Sequence, residues 1–377
     1  MLTSSRLHFA STLSIHTTWG DRLILVTGGL GFIGSHTTRA LLQAGAEVLP
    51  ASRTRTESPL LPSALEVAKL DCTDPESLSA VGRRHRITAI VHLAAVPLGR
   101  EPLLAELRGN VDALLTVLSA AARWNVGRVV VASSIGVYAG VETLPWHENA
   151  PLPVTSPHPI PAAKKSAEIL SLASGLDVIV ARIGGIWGPL GRPASPFLAA
   201  PGMIHAAARA STHSHGPSDS SDPEYGNGAG SGRSTEAVGR GPRTTNAAGD
   251  EGRRRGDSGG GDGHADAQRT AVNADGGADM LYAPDCGTAL AMLATAGGLA
   301  HRVYNVGGGR PTTNGEVAAA ITRHSPGFHP SLTTGNGGAL IPYLDTTRIR
   351  GAGWHAQWQL DRAVADYIEW LKFGHER

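Results

Sequence analysis

Cysteine is almost missing from this chain of 377 residues: Cys72 and Cys286 are the only two. They fit no metal-ligand spacing and no disulfide framework, which excludes a small disulfide-stapled fold and points to a reducing compartment, the cytoplasm. Long apolar runs are missing too. No stretch of about 18 apolar residues occurs, so no membrane span is expected. Neither sign of charge dominates, because 33 Lys and Arg stand against 32 Asp and Glu, a formal net charge of +1. That balance gives no reason to expect nucleic acid or another polyanion as a partner.

The sharpest absence is local. Between Ser211 and Ala278 there is no Leu, Ile, Met, Phe or Trp. Such text, with runs like GNGAGSGRSTEAVGRG, cannot bury enough apolar area to offset about 1–2 kcal/mol of backbone ordering per residue. Residues 211–278 are therefore expected to be a disordered low-complexity insert, and Arg253 to Arg255 within it a solvated run. The first 20 residues lack acids, carry Arg6 as their one strongly basic residue, and scatter their apolar residues. They read as a flexible N-terminal extension rather than a transit peptide.

What is present elsewhere is a regular alternation. The hydrophobic content of 41% supports a packed core, and the length suits roughly two domains. Apolar runs at 23–29, 46–52, 65–71, 87–95, 128–134 and 176–183 read as strands. Helical patterns at 35–45, 75–84 and 102–125, and one around Lys164, separate them. Repeated strand–helix units imply an α/β fold with a doubly wound parallel sheet. After the insert, 279–296 gives a short strand and a helix, 301–308 a strand and 314–324 a helix. In the closing helix, 360–373, Val364, Tyr367, Ile368 and Leu371 share a face. These late elements are too few for a sheet domain of their own. The expected division is a first domain over 21–183 and a smaller C-terminal substrate lobe over 184–377, interrupted by the insert.

TGGLGFIGSH, residues 27–36, sits between the first strand and the first helix. This is the context that dinucleotide binding requires. Gly28 allows the tight turn, Gly31 lets the backbone approach a pyrophosphate, and Gly34 lets helix pack on strand. The first-turn amides of Phe32, Ile33 and Gly34, with the helix dipole, stabilise negative charge. A Rossmann domain binding NAD or NADP follows. An acid at the end of the second strand would accept hydrogen bonds from the adenosine ribose and repel a 2′-phosphate. This chain has Ser52 there, then Arg53 and Arg55, which suits a phosphate and favours NADP.

The spacing of the glycines resembles the extended branch of the short-chain dehydrogenase/reductase superfamily, the NAD-dependent epimerase/dehydratase family. HLAA, 92–95, is similar to its fourth-strand segment, so Leu93, Ala94 and Ala95 would line the cofactor, and Asp71 resembles the residue near the adenine. Asn110 and Val111 resemble a pair in its long helix. SSIGVYAG (133–140), IWGP (186–189), YNVGGG (304–309) and DYIEWL (366–371) have counterparts as well. The resemblance implies an epimerase, dehydratase or reductase acting on a sugar or nucleotide-sugar, and a homodimer pairing through two long helices. It further implies a catalytic Ser, Tyr and Lys. Ser134 and Lys164 match the serine and lysine, the latter because Glu168 follows at the family's interval. The tyrosine position, four residues before Lys164, holds Ile160. Taking Lys165 instead would put Pro161 there. An alkyl group carries no proton, so Tyr138, near Ser134, and His158 are the two candidate replacements; Pro159 and Pro161 suggest that this helix starts late. The alternative to an enzyme is a cofactor-binding sensor or scaffold with little turnover.

Overall fold

The computed structural model describes residues 23–96, 102–156, 158–195, 197–213, 272–335 and 340–375. The first half runs β1 (Leu23–Thr27), α1 (Phe32–Gln43), β2 (Glu47–Ser52), β3 (Ala68–Lys69), α2 (Pro75–Arg84), β4 (Ile87–His92), α3 (Leu103–Arg123), β5 (Arg128–Ser134), α4 (Pro159–Ala173) and β6 (Val178–Ile183). Then come β7 (Gly185–Trp187), α5 (Ala200–His213), β8 (Val272–Asn273), β9 (Gly277–Tyr282), α6 (Ala283–Thr295), β10 (Val303–Val306), β11 (Pro311–Thr313), α7 (Asn314–His324), β12 (Leu332–Thr333), α8 (Thr347–Gly351) and α9 (Leu360–Lys372).

The main sheet has seven strands in the order β10-β6-β5-β4-β1-β2-β3, and its pairings are all parallel. The strands LILVT and VIVARI are almost wholly apolar because helices cover both faces. On one face α1 and α6 pack with Ile24, Val26, Ile179 and Val306; on the other, α2 and α3 pack with Leu25, Ile90 and Val129. The chain moves outward from β1 to β3 and then returns to the other side of β1 as β4. A crevice therefore opens beyond the carboxyl ends of β1 and β4, where such sheets bind ligands.

The structure differs from the sequence expectation in four places. The third strand shrinks from seven residues to Ala68–Lys69, because it pairs only with Ala51 and Ser52 at the sheet edge. The helix carrying Lys164 starts at Pro159, not later. Its prolines fall in the first turn, where N–H groups have no intrahelical acceptor to lose. The expected boundary at 183 is not a clean one. β10 pairs with β6 and α6 packs on α1, so this stretch completes the first sheet rather than the second lobe. The insert is also shorter than 211–278. α5 runs to His213, the Ser211 hydroxyl meets that of Ser325 at 2.8 Å, and β8 and β9 use residues 272–278. The rest of it, and the N-terminal extension, lie outside the described residues.

The second lobe gathers α5, α7 and α9 around Ile204, Val317, Ile321, Val364 and Tyr367. A three-stranded sheet, β11-β9-β7, adjoins them. The Thr313–Glu316 capping box fixes the start of α7.

Candidate functional site

The glycine loop is built by close approach. Gly28 has φ +70°, a backbone state that side chains disfavour. A Cβ on Gly34 would stand 2.0 Å from the Gly28 carbonyl oxygen, so α1 can meet the loop only without one. Gly31 is different, since a Cβ there would touch only the Gly28 oxygen, at 3.1 Å. The space in front of it is open. α1 also starts with no side-chain cap and no acid in its first turn. Its unsatisfied N–H groups and dipole are left for an anion from outside. These features fit the pyrophosphate of a dinucleotide.

Two clefts open here. The larger, of about 770 Å³, is lined by Gly28 and Gly31 of the loop, by Phe32 at the start of α1, by Ser52 ending β2 with Arg53 and Arg55 after it, by Asp71, and by Leu93, Ala94 and Ala95 after β4. Trp187, Arg192 and Ser195 close it from the second lobe. The smaller, of about 260 Å³, shares Ala94 and Ala95 and adds His92, Asn110, Leu114, Ile160 and Lys164. Ile33 lines neither cleft; its side chain packs into the core beside α1, leaving only its amide toward the loop.

At the far end of β2, Ser52 Oγ accepts a hydrogen bond from the Arg55 amide at 3.0 Å, and the Arg55 guanidinium reaches back to donate to the Leu30 carbonyl at 2.9 Å. Arg53 is exposed, 3.9 Å from the Asp71 carboxylate. Asp71 accepts from the amide and hydroxyl of Thr73. Burial raises its pKa, but the Thr73 bonds and Arg53 outweigh that, and the carboxyl titrates below its ordinary range.

The smaller cleft holds the acid–base question. Ile160 and Lys164 lie one turn apart on α4, facing Asn110 of α3. Lys164 Nζ donates to the Ala132 carbonyl at 2.8 Å, and desolvation lowers its pKa despite the charge of Glu168. Lys165 is spent elsewhere, its ammonium bonded to the carbonyls of Pro153 and Thr155. Asn110 clamps the loop after β4: Oδ1 accepts from the Val96 amide at 3.0 Å and Nδ2 donates to the Val96 carbonyl at 3.1 Å. Ser134 ends β5, and its Oγ accepts from the Gly136 amide at 3.1 Å. It is not among the side chains lining either cleft.

Neither expected replacement for the phenol reaches the cleft. Tyr138 is fully buried. Its hydroxyl donates to Asn305 Oδ1 and accepts from Arg182, both at 2.8 Å, while its ring stacks on Trp146. Burial drives its pKa up, only partly offset by Arg182. Tyr138, expected as one candidate proton carrier, thus lies in the core and outside the lining of both clefts. His158 is the N-cap of α4, with Nδ1 accepting from the Ile160 amide at 3.3 Å.

The motif reading passed over Thr27 and His92. Thr27 Oγ1 lies 2.8 Å from His92 Nδ1, and burial, helped by the charge of Lys164, pushes His92 down to about 3. The signal available was a threonine and a histidine ending two largely apolar strands. Arg192 and Ser195, beyond the IWGP turn, were missed too; nothing local marks them.

Residues 24–240 match the NAD dependent epimerase/dehydratase family. That match spans more than half of the chain and contains the glycine loop, Ser134 and Lys164.

The chain belongs to this family.

Among similar proteins, UDP-glucose 4-epimerase from Azospirillum brasilense is 32% identical over 200 residues, covering 50% of this chain and 56% of that protein. The dTDP-glucose 4,6-dehydratase of Streptomyces griseus is 34% identical over 197 residues, 44% of this chain and 55% of that protein. The chain thus spans about half the length of these relatives. The crystal structure of Thermotoga maritima UDP-glucose 4-epimerase with UDP-glucose superimposes with a TM-score of 0.66 at 20% identity, covering 93% of this chain and 99% of that one. Bacillus anthracis dTDP-glucose 4,6-dehydratase in complex with NAD gives 0.65 at 20% identity, covering 94% and 98%. At such identity these structures establish the shared fold. Among the described residues, no helix is long and apolar enough to cross a membrane.

Proposed function

We propose that this family member is an NAD(P)-dependent oxidoreductase of the epimerase/dehydratase type, acting on a sugar or nucleotide-sugar. The observation that carries the reading is the uncapped start of α1 beside Gly31, opening into the larger cleft, whose Ala94 and Ala95 also line the smaller cleft that holds Lys164. Gly28, Gly31 and the first-turn amides of Phe32, Ile33 and Gly34 would hold the pyrophosphate. Asp71 and the Ser52–Arg55 turn would hold the adenosine end, and Leu93 to Ala95 would lie along the middle. The bound nicotinamide would supply reversible hydride acceptance. Ser134, whose oxygen accepts from the Gly136 amide and which lies outside the lining of both clefts, would have to turn its hydroxyl toward the smaller cleft to donate to a substrate oxygen. Trp187, Arg192 and Ser195 offer the second lobe's contacts to the substrate.

NADP is favoured over NAD. Ser52 stands where a ribose-binding carboxylate would sit, and Arg53, exposed and only loosely paired with Asp71, is free to turn toward a 2′-phosphate. A homodimer through α3 and α4 fits Leu104 and Ile169, which are 79% and 68% exposed on these helices. The two unpaired, buried cysteines suit a reducing compartment such as the cytoplasm.

A second reading, a cofactor-binding scaffold without turnover, is favoured by Ile160 in the cleft and Tyr138 in the core. Titrating the protein with NAD and NADP, then incubating it with UDP-glucose and the tighter cofactor, separates the two. Binding with formation of a new sugar nucleotide supports the enzyme, binding without it supports the scaffold, and no binding of either dinucleotide defeats both.

A further inference from the structure

With a phenol missing, the proton on a substrate hydroxyl needs another acceptor at the smaller cleft. Two of the described side chains lining it titrate, His92 from β4 and Lys164 from α4. His92 is tied through Nδ1 to Thr27 and is held neutral chiefly by its burial. The other charged group near Lys164 is Glu168, one turn further along α4. Its carboxylate is already engaged, accepting from Arg182 Nε at 2.9 Å and Nη2 at 2.7 Å and from the Ser133 hydroxyl. Toward the cleft, α3 presents the neutral Asn110, whose amide is spent on Val96.

We infer that Lys164 itself carries the proton in this chain, exchanging it directly with the substrate hydroxyl instead of tuning a phenol; this rests on the function proposed above. The Ala132 carbonyl anchors Nζ with one hydrogen bond. An ammonium has three N–H donors, so the remaining two are available to the cleft. Ile160 has two effects on this group. It removes the usual acid, and it places an alkyl chain beside the lysine in the lining of the cleft. Loss of water in this alkyl surrounding disfavours the ammonium despite the charge of Glu168, so the amine that accepts a proton is more accessible here than on an exposed lysine. In the oxidative direction the substrate's O–H proton goes to the Nζ lone pair, giving the ammonium. The O–H bonding electrons become the second bond of the carbonyl, and the C–H pair leaves as hydride to the oxidised nicotinamide dinucleotide. The return step reverses each transfer.

The chain contains four lysines, Lys69, Lys164, Lys165 and Lys372, so carbon-13 labelling at Cε yields four signals. Lys164→Arg identifies its own by loss. On the protein without cofactor, the Lys164 signal is expected to titrate below the other three, and Ile160→Tyr is expected to move it upward. Titration of Lys164 together with the exposed Lys69 and Lys372 overturns the proposal. Turnover with UDP-glucose is expected to vanish in Lys164→Arg, which keeps the charge but cannot yield a proton. In Lys164→Ala it is expected to return with added primary amines, to an extent that follows amine basicity. Full turnover in Lys164→Arg overturns the proposal as well. Direct titration with NAD and NADP distinguishes the failures: an unshifted lysine in a protein that binds dinucleotide removes only this role, whereas no dinucleotide binding removes the function proposed above.

Discussion

Ile160 and Lys164 stand one helical turn apart on the face of α4 that lines the smaller cleft, an aliphatic chain beside an ammonium bonded to the Ala132 carbonyl. The pairing follows from helix geometry, which stacks residues i and i+4. It makes the environment of the lysine depend directly on what occupies position 160. Four consequences elsewhere in the site and its support can be measured.

The glycine loop separates binding from folding. Gly31→Asp adds a side chain where only one backbone oxygen is near, so the fold should persist. Its carboxylate would face the pyrophosphate, and at protein-surface screening that repulsion weakens dinucleotide affinity by about 100-fold or more. Gly34→Ala should lose both binding and stability, because its Cβ would meet the Gly28 oxygen at 2.0 Å. Thermal melts beside cofactor titrations check both, and an unchanged affinity in Gly31→Asp would count against the cleft as the dinucleotide site.

Cofactor choice should be sensitive to Arg53. Arg53→Glu puts an acid beside Ser52, in the part of the cleft after β2. NADP affinity is expected to fall at least about 10-fold relative to NAD, since a charge-assisted bond is replaced by repulsion. Paired titrations with the two dinucleotides measure the ratio; no change would assign that arginine to solvent.

The buried pair Glu168–Arg182 links α4 to β6 with Nη2 to Oε2 at 2.7 Å. Glu168→Ala leaves a guanidinium buried without its anion, at a cost of about 3–5 kcal/mol. Combining it with Arg182→Met should recover part of that loss, because the lone charge is gone. Urea denaturation of the single and double variants tests the coupling, and strictly additive losses would contradict it.

Acid should destabilise the protein through its buried histidines. His36 donates from Nε2 to the Pro189 carbonyl, and burial pushes it down to about 4; His92 is pushed down to about 3. The unfolded chain binds a proton at each histidine near 6.5, while the native state refuses it. Their contribution is therefore complete above pH 6.5 and is lost as pH falls toward 4 and below. For His36 the loss is about 3 kcal/mol. His36→Gln keeps an N–H for Pro189 without the titration, so its stability should drop less between pH 7 and pH 4.5. An equal drop in wild type and variant, read by denaturant unfolding, would refute the assignment.

Much of the first sheet was legible because its determinants are local. RVVVASS and PESLSAVGRR carry their own periodicity, caps and apolar faces, and they form the strand and helix expected of them. The late strand Val303–Val306 was readable as a strand but not as a member of the first sheet, since nothing within it names β6 as its neighbour.

By itself the sequence determined the glycine turn, the alternation that builds a parallel sheet, and the isoleucine four residues before Lys164. Each depends on residue type and spacing over a few positions. Only the tertiary structure decided that Tyr138 belongs to the core and that Lys164 rather than Lys165 faces the cleft. Those outcomes depend on partners remote in the chain, Asn305 and Arg182 for the tyrosine and β5 for the lysine. A side chain's neighbours, its solvation and hence its proton affinity are set by packing across that distance, which no local pattern records.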